Sequence, residues 1–104
     1  MILIIGGAYQ GKEKFALEML KIDKDKIYYD FNSAVKNEGE AVIDKIFAGG
    51  FDAVISNEIG CGIIPLDKTD RALREKTGRA QCALAARCSE VWRVSCGIGI
   101  KIKG

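Results

Sequence analysis

The chain has 104 residues, of which 48% are hydrophobic and 29% charged, and its formal net charge is +2. This length suits one α/β domain, 1–104, with a modest core, and the composition excludes a disordered chain. The near-balanced charge gives no reason to expect a nucleic-acid partner. The N-terminal apolar run is too short for a membrane span or a signal-peptide core, so we expect a cytoplasmic protein with no membrane partner.

The chain contains four cysteines and no histidine. Cys61, Cys82, Cys88 and Cys96 form no C-x-x-C pair, and without histidine the usual mixed zinc sites cannot be assembled. We expect reduced thiols that are mostly packed in the interior, because free cysteine prefers burial. A site of four thiolates is the alternative.

Apolar runs alternate with helix-like segments along the chain, which predicts βαβ units and a mainly parallel sheet. Strands are predicted at 1–5, 26–31, 51–55 and 90–96, helices at 12–20, 34–47 and 67–88, and an edge strand at 100–103 after a turn at 97–99. Gly49 and Gly50 should end the second helix. Gly78 interrupts the third, which predicts a close packing contact or a helix break. Lys101 and Lys103 should discourage further pairing at the sheet edge.

The first strand runs into a glycine-rich turn with the spacing G-x-x-x-x-G-K. Such a turn curves backbone N–H groups around a phosphate, and its lysine adds a mobile positive charge. Position 13 holds a glutamate where a serine or threonine would bind Mg²⁺, so its carboxylate either ligates the metal or repels the phosphates. Alternatively, the glycines only form a tight turn and the lysine is solvated. The predicted nucleotide-binding residues are Gly6, Gly7, Ala8, Gly11, Lys12 and Glu13.

A second apolar strand ends in the polar and glycine-rich segment 56–65. Polar residues at the carboxyl ends of parallel strands meet at one edge of a sheet. Lys12 and Glu58 are therefore the candidate catalytic residues, and Glu13 and Glu58 the candidate Mg²⁺ ligands. The alternative for Glu58 is a carboxylate that braces the loop through backbone N–H groups. Asp30, which ends the second strand, is a further candidate for the metal.

Several motifs together resemble the adenosylcobinamide kinase/adenosylcobinamide-phosphate guanylyltransferase family. They are the Gly6-Gly7-Ala8 turn, the run N-E-I-G-C-G-I-I-P over 57–65, the arginine-bearing helix 71–79, the segment 84–92 and the tail 97–103. The likeness covers about the first 20 residues and everything from about Phe51 onward. The run over 57–65, with the arginines behind it, is much rarer than a lone glycine loop.

The resemblance implies a P-loop NTPase-like (RecA-like) fold and a place in cobalamin biosynthesis. Members use ATP or GTP, with Mg²⁺, to phosphorylate the aminopropanol hydroxyl of adenosylcobinamide, and then transfer GMP from GTP through a covalent histidine intermediate. They assemble as trimers, so the resemblance implies a homo-oligomer. The purine nucleotide and adenosylcobinamide are the partners that it implies for this chain.

The departures from the family narrow this expectation. The region between the first helix and Phe51 is compressed, and a chain without histidine cannot transfer GMP by the covalent histidine route. Gln10 and Glu13 stand where the family has two serines, which argues against kinase activity without excluding it. The alternatives are a non-catalytic binding or assembly module that has lost nucleotide affinity, or an unrelated enzyme that uses Glu58 and the Cys61 thiol. Three helix arginines would approach a phosphate or a neighbouring subunit, or alternatively form a solvated face or ion pairs with Glu75 and its neighbours: Arg71, Arg74 and Arg79.

Overall fold

A computed structural model describes residues 1–7, 9–57 and 68–104. The described part contains a five-stranded sheet with the strand order β2-β3-β1-β4-β5. The strands are β1 (Ile2–Gly6), β2 (Ile27–Tyr28), β3 (Ala53–Asn57), β4 (Glu90–Ser95) and β5 (Ile98–Lys103). The α-helices are α1 (Lys12–Lys14), α2 (Phe31–Glu38), α3 (Ala41–Ala48) and α4 (Lys68–Arg87).

Strand β1 lies in the middle of the sheet. It pairs in parallel with β3 on one side and β4 on the other, and β2 extends the parallel part beyond β3. Only β5 runs antiparallel, along the outer side of β4. This topology confirms the predicted mainly parallel α/β sheet with an antiparallel C-terminal edge, and it is consistent with a P-loop NTPase-like fold.

The central parallel strands are buried on both faces, which explains why they are continuous apolar runs, whereas β5 is mostly exposed, with Ile98, Ile100 and Ile102 open to solvent. One face packs against α2, α3 and α4, and the other against α1 and the segment after it. Alternate residues of the parallel strands supply the two sides. The first side contains Leu3, Phe31, Val35, Val42, Ile43, Ile46, Val54, Ala80, Leu84, Cys88 and Val91. The second contains Ile4, Phe15, Ala16, Ile22, Ile27, Ala53, Ile55 and Val94.

The first helix is less regular than predicted. After α1 the chain continues in a π-helical turn over Phe15–Met19, in which the Leu20 N–H donates to the Phe15 carbonyl at 3.2 Å. The wider turn buries Phe15 and Ala16 against the sheet and leaves Met19 exposed. The i, i+4 spacing of apolar residues predicted a helix here, and it did not distinguish an α-helical from a π-helical winding.

Two predicted boundaries between strand and helix were wrong. The strand predicted at 26–31 is only the two-residue β2, because Asp30 takes a left-handed conformation (φ 59°) and α2 begins at Phe31. The helix predicted at 34–47 is two helices. Gly39 separates them with φ 71°, a value that disfavours residues with a Cβ, and its N–H closes α2 on the Val35 carbonyl.

The predicted break at Gly78 is absent, since α4 is continuous from Lys68 to Arg87. The alternative of a close packing contact is also wrong among the described residues, because a Cβ on Gly78 would meet no described atom within 4 Å. The predicted stop at Gly49 is confirmed, since this residue caps the end of α3.

Both lysines of β5 contact other elements of the domain. Lys101 forms an ion pair with Glu90 at 3.3 Å and lies over the Trp92 ring. The Lys103 ammonium donates to the Ala85 and Ala86 carbonyls at 2.9 and 3.1 Å. These carbonyls belong to the last turn of α4, where no further helical N–H is available to them. The two lysines therefore fasten the edge strand to the domain.

We expect opposite effects from an added methyl group at two glycines. Gly78→Ala should raise the free energy of unfolding by about 0.5–1 kcal/mol, because alanine loses less backbone entropy than glycine in a helix and the position has space. Gly99→Ala should lower it by about 1–3 kcal/mol, because the new Cβ would overlap the Phe15 ring. Urea unfolding of the two variants measures both effects. A Gly78→Ala variant that is less stable than the parent would contradict the open environment described here.

Candidate functional site

The turn between β1 and α1 lies at the carboxyl edge of the parallel sheet. The strand order reverses direction beside β1, since the chain goes first to β2 and β3 on one side and then to β4 on the other. Ligands bind at such switch points in open α/β sheets. Gly11 takes a left-handed conformation (φ 85°), and its carbonyl accepts the Phe15 N–H at 3.0 Å. This conformation favours a glycine at position 11.

Lys12 is buried, with 7% of its surface exposed. Its Nζ donates to the Gly7 carbonyl at 2.6 Å, so the side chain folds back over the turn. Burial lowers the pKa of the amine from its ordinary value. The alternative of a solvated lysine at the start of a helix is therefore wrong. The amine therefore lies inside the turn, bonded to its backbone.

Next to Lys12 lies an open cleft of about 440 Å³. It is formed by the turn after β1, the residues after β2 and the end of β3, so three neighbouring strand ends contribute to it. Its described lining consists of Tyr9, Gln10, Gly11, Lys12, Glu13, Lys14, Tyr29, Asp30, Ile55 and Asn57.

The cleft brings together some of the predicted site residues. Gly11, Lys12 and Glu13 line it, whereas Gly6 and Gly7 are not part of its described lining. Gly6 instead lies under the turn, where a Cβ would overlap the Val94 carbonyl oxygen. Two predicted residues, Ala8 and Glu58, lie outside the described residues, as does Cys61.

Glu13 and Tyr29 face each other across part of the cleft. Burial raises the pKa of the Tyr29 phenol, and the Glu13 carboxylate nearby raises it further. The phenol oxygen is buried and has no well-formed hydrogen bond to any described group. The phenol is thus held in its protonated form, with the Glu13 carboxylate as the nearby acceptor.

A polar network that the sequence analysis missed fixes the end of β3. The Asn32 side chain pairs with both backbone groups of Asn57, accepting its N–H at 2.9 Å and donating to its carbonyl at 3.3 Å. Ser56, which is buried, donates to Asn32 at 3.1 Å and accepts from Gln81 at 2.8 Å. Asn57 also lines the cleft, so residues of α2 and α4 hold one of its walls. The signal in the sequence was the polar pair Ser56-Asn57 at a strand end.

Of the remaining candidate residues, Asp30 and the three helix arginines, only Asp30 belongs to the described lining of the cleft. Arg79 forms an exposed ion pair with Glu75 at 3.8 Å, as its alternative interpretation predicted. Arg74 also has an interaction partner. The side chain of Arg71 lies outside the described part of the structure.

The thiols are more exposed than predicted. Of the three cysteines described, Cys88 is buried, whereas Cys82 and Cys96 are exposed. Among residues 1–7, 9–57 and 68–104, no three cysteine or carboxylate side chains come together in a way that could hold a metal ion. No helix in the described part is both long and apolar enough to cross a membrane.

Comparison with known proteins identifies a family to which this chain is similar. The profile of the cobinamide kinase / cobinamide phosphate guanyltransferase family matches residues 30–102. The match includes the segment before Phe51, which the sequence analysis left outside the resemblance, and it begins after the turn that contains Lys12.

Two curated relatives are similar over part of their length. The bifunctional adenosylcobalamin biosynthesis protein CobU of Escherichia coli (strain K12) is 36% identical over 86 residues, which is 78% of this chain and 47% of that protein. The protein of the same name from Salmonella typhimurium (strain LT2) is 46% identical over 50 residues, 48% of this chain and 28% of that protein. The matched region thus spans less than half the length of either relative. With the family profile matched over residues 30–102, this chain belongs to the cobinamide kinase / cobinamide phosphate guanyltransferase family.

Proposed function

We propose that the chain binds a purine nucleoside triphosphate, GTP or ATP, with its phosphates in the cleft beside Lys12. The observation that carries this proposal is the position of the Lys12 amine, which is buried in the turn after the central strand and bonded to the Gly7 carbonyl. A phosphate oxygen is a stronger acceptor for an ammonium group than a neutral carbonyl is. Exchange of the carbonyl for a phosphate would therefore favour binding.

The cleft supplies further groups that suit a nucleotide. Lys14 adds a second positive charge to its lining, and the Tyr29 hydroxyl adds a donor. A volume of about 440 Å³ lies in the range of small-molecule sites in proteins.

Magnesium fits the donor chemistry of the same cleft. Mg²⁺ is usually held by one or two carboxylates together with substrate phosphates, and Glu13 and Asp30 both line the cleft. Glu13 is the ligand that we propose here, with Asp30, which follows β2, as a second candidate. Glu58, which follows Asn57 in the sequence, is the further proposed ligand and the proposed catalytic acid or base. Bound Mg²⁺ would neutralise charge on the phosphates.

The relatives' names supply the proposed chemistry. We propose phosphoryl transfer to a cobinamide, such as adenosylcobinamide, as the reaction of this chain if it is active. Phosphoryl transfer depends mainly on positioning and on charge neutralisation, which Lys12 and a bound metal would provide. Guanylyl transfer through a histidine is not part of the proposal, because the chain has no histidine.

A second candidate function follows from Glu13. Its carboxylate lines the cleft where the phosphates of a nucleotide would lie, and like charges at close range repel. A chain in which this repulsion dominates would be a non-catalytic binding or assembly module without nucleotide affinity. Titration of the unmodified protein separates the two candidates.

We expect Lys12→Met to weaken nucleotide binding by about 10- to 100-fold, because a hydrogen bond to a charged group contributes about 1.5–3 kcal/mol. Isothermal titration calorimetry with GTP, ATP and GDP in Mg²⁺ measures the change. The matched control is Lys24→Met, since Lys24 is exposed and lies outside the described lining of the cleft. If the unmodified protein releases no heat at millimolar nucleotide, the binding proposal fails and the second candidate is supported.

We expect Glu13→Ser to bind GTP or ATP about five- to tenfold more tightly in the absence of metal, because one negative charge leaves the cleft. The gain should shrink as salt is added, since Glu13 is exposed and its field is screened. Glu18→Ser is the control, because Glu18 is exposed on the following turn and does not contribute to the described lining. Weaker binding by the Glu13 variant in Mg²⁺ would instead favour metal ligation by this carboxylate.

We also propose that the chain forms a homo-oligomer, a trimer by its resemblance to the family. Small α/β domains have little core, and self-association adds buried surface. Light scattering at micromolar concentration should give a mass about three times that of one chain, and a monomer would contradict the proposal.

A further inference from the structure

The turn between β1 and α1 is hydrogen-bonded to the hairpin that β4 and β5 form. The Gln10 side-chain oxygen accepts the Cys96 N–H at 2.7 Å, and the Gln10 backbone carbonyl accepts the Gly97 N–H at 2.9 Å. One residue of the turn thus satisfies two consecutive backbone donors of a segment that is more than 80 positions away in the chain.

The hairpin turn is built to present these donors. Cys96 and Gly97 both have positive φ, 52° and 77°, and they join the paired residues Ser95 and Ile98. Two central residues with positive φ form a tight hairpin turn of type I′. The N–H groups of both central residues point toward Gln10 and away from the strands.

The backbones on the two sides also approach each other closely. A Cβ added to Gly11 would lie 3.4 Å from the Gly97 Cα, and one added to Gly6 would overlap the Val94 carbonyl oxygen. The glycines at both ends of the predicted phosphate loop therefore face the end of β4 or the turn that follows it. Close approach between the loop and β4 or the turn that follows it is therefore found at Gly6 and Gly11 as well as at Gln10.

We propose that Gln10 is a positioning residue, which fastens the phosphate-binding loop to the Cys96–Gly97 turn and so fixes Gly11 and Lys12 beside the cleft. The ligand of this loop is the proposed purine nucleoside triphosphate, so this part of the inference rests on the proposed function. Gln10 itself would carry no chemistry. The side-chain bond joins the turn that lines the cleft to the Cys96–Gly97 turn, which is not itself part of the described lining.

We expect loss of the Gln10 side-chain hydrogen bond to have a moderate, measurable effect on the position of the loop. A neutral hydrogen bond contributes about 1 kcal/mol, which is about a fivefold change in the population of the bonded loop. Coupling of this kind is reciprocal. A ligand that orders the loop should therefore slow amide exchange at Cys96 and Gly97, although it contacts neither residue.

The first arm of the test needs no nucleotide. We expect Gln10→Met to speed hydrogen exchange of the Cys96 amide about fivefold, and to shift the amide resonances of Gly11 and Lys12, in NMR spectra of the unliganded protein. Gln10→Glu should restore slow exchange, because a carboxylate oxygen accepts the same N–H. Asn37→Met, on the exposed face of α2, is the control and should change none of these signals. Unchanged Cys96 exchange in Gln10→Met would overturn the inference.

The second arm adds GTP or ATP. Gln10→Met should bind nucleotide about three- to tenfold more weakly than the parent, with Asn37→Met unchanged, and equal affinity would overturn the positioning role. If the parent binds no nucleotide while Gln10→Met still alters Cys96 exchange and the Lys12 resonance, the proposed function fails and the fastening of the loop stands. The two failures are thus distinguished.

Discussion

The site depends on parallel pairing of β1 with both β3 and β4. This pairing puts the carboxyl ends of three strands side by side, and each end continues into a segment that reaches the site or its support. The turn after β1 carries Lys12, the end of β3 carries Asn57, and the end of β4 leads to the hairpin bonded to Gln10. Because β1 is central and buried on both faces, a shift of its register would expose apolar side chains and would move all three at once.

Polar side chains supply hydrogen bonds at the point where a strand of the sheet is short. Strand β2 has two residues, and the Asn32 amide continues its ladder by pairing with the backbone of Asn57. Gln81 reaches the same place from α4. A side-chain amide offers one donor and one acceptor in the arrangement of a peptide group, so it can extend a sheet at the point where a loop must diverge. The wall of the cleft is consequently held by helices on one face of the sheet.

Much of the fold was predictable from the sequence, because strands buried on both faces leave continuous apolar runs separated by turn residues. The end of β2 was not predictable, because an apolar residue such as Phe31 suits the last position of a strand as well as the first buried position of a helix. At the site, spacing identified Lys12 but not the burial of its amine. The contacts of Gln10 with Cys96 and of Gln81 with Ser56 join distant parts of the chain, and no local pattern encodes them.

The bond between Lys103 and the last turn of α4 has a consequence for how the domain opens. An edge strand ordinarily frays first, because one of its sides makes no ladder. Here, detachment of the end of β5 would also leave the Ala85 and Ala86 carbonyls without the ammonium group that caps them. Loss of the strand end and loosening of the last turn of α4 are therefore energetically coupled, so that the margin of the sheet and the end of that helix protect each other from fraying.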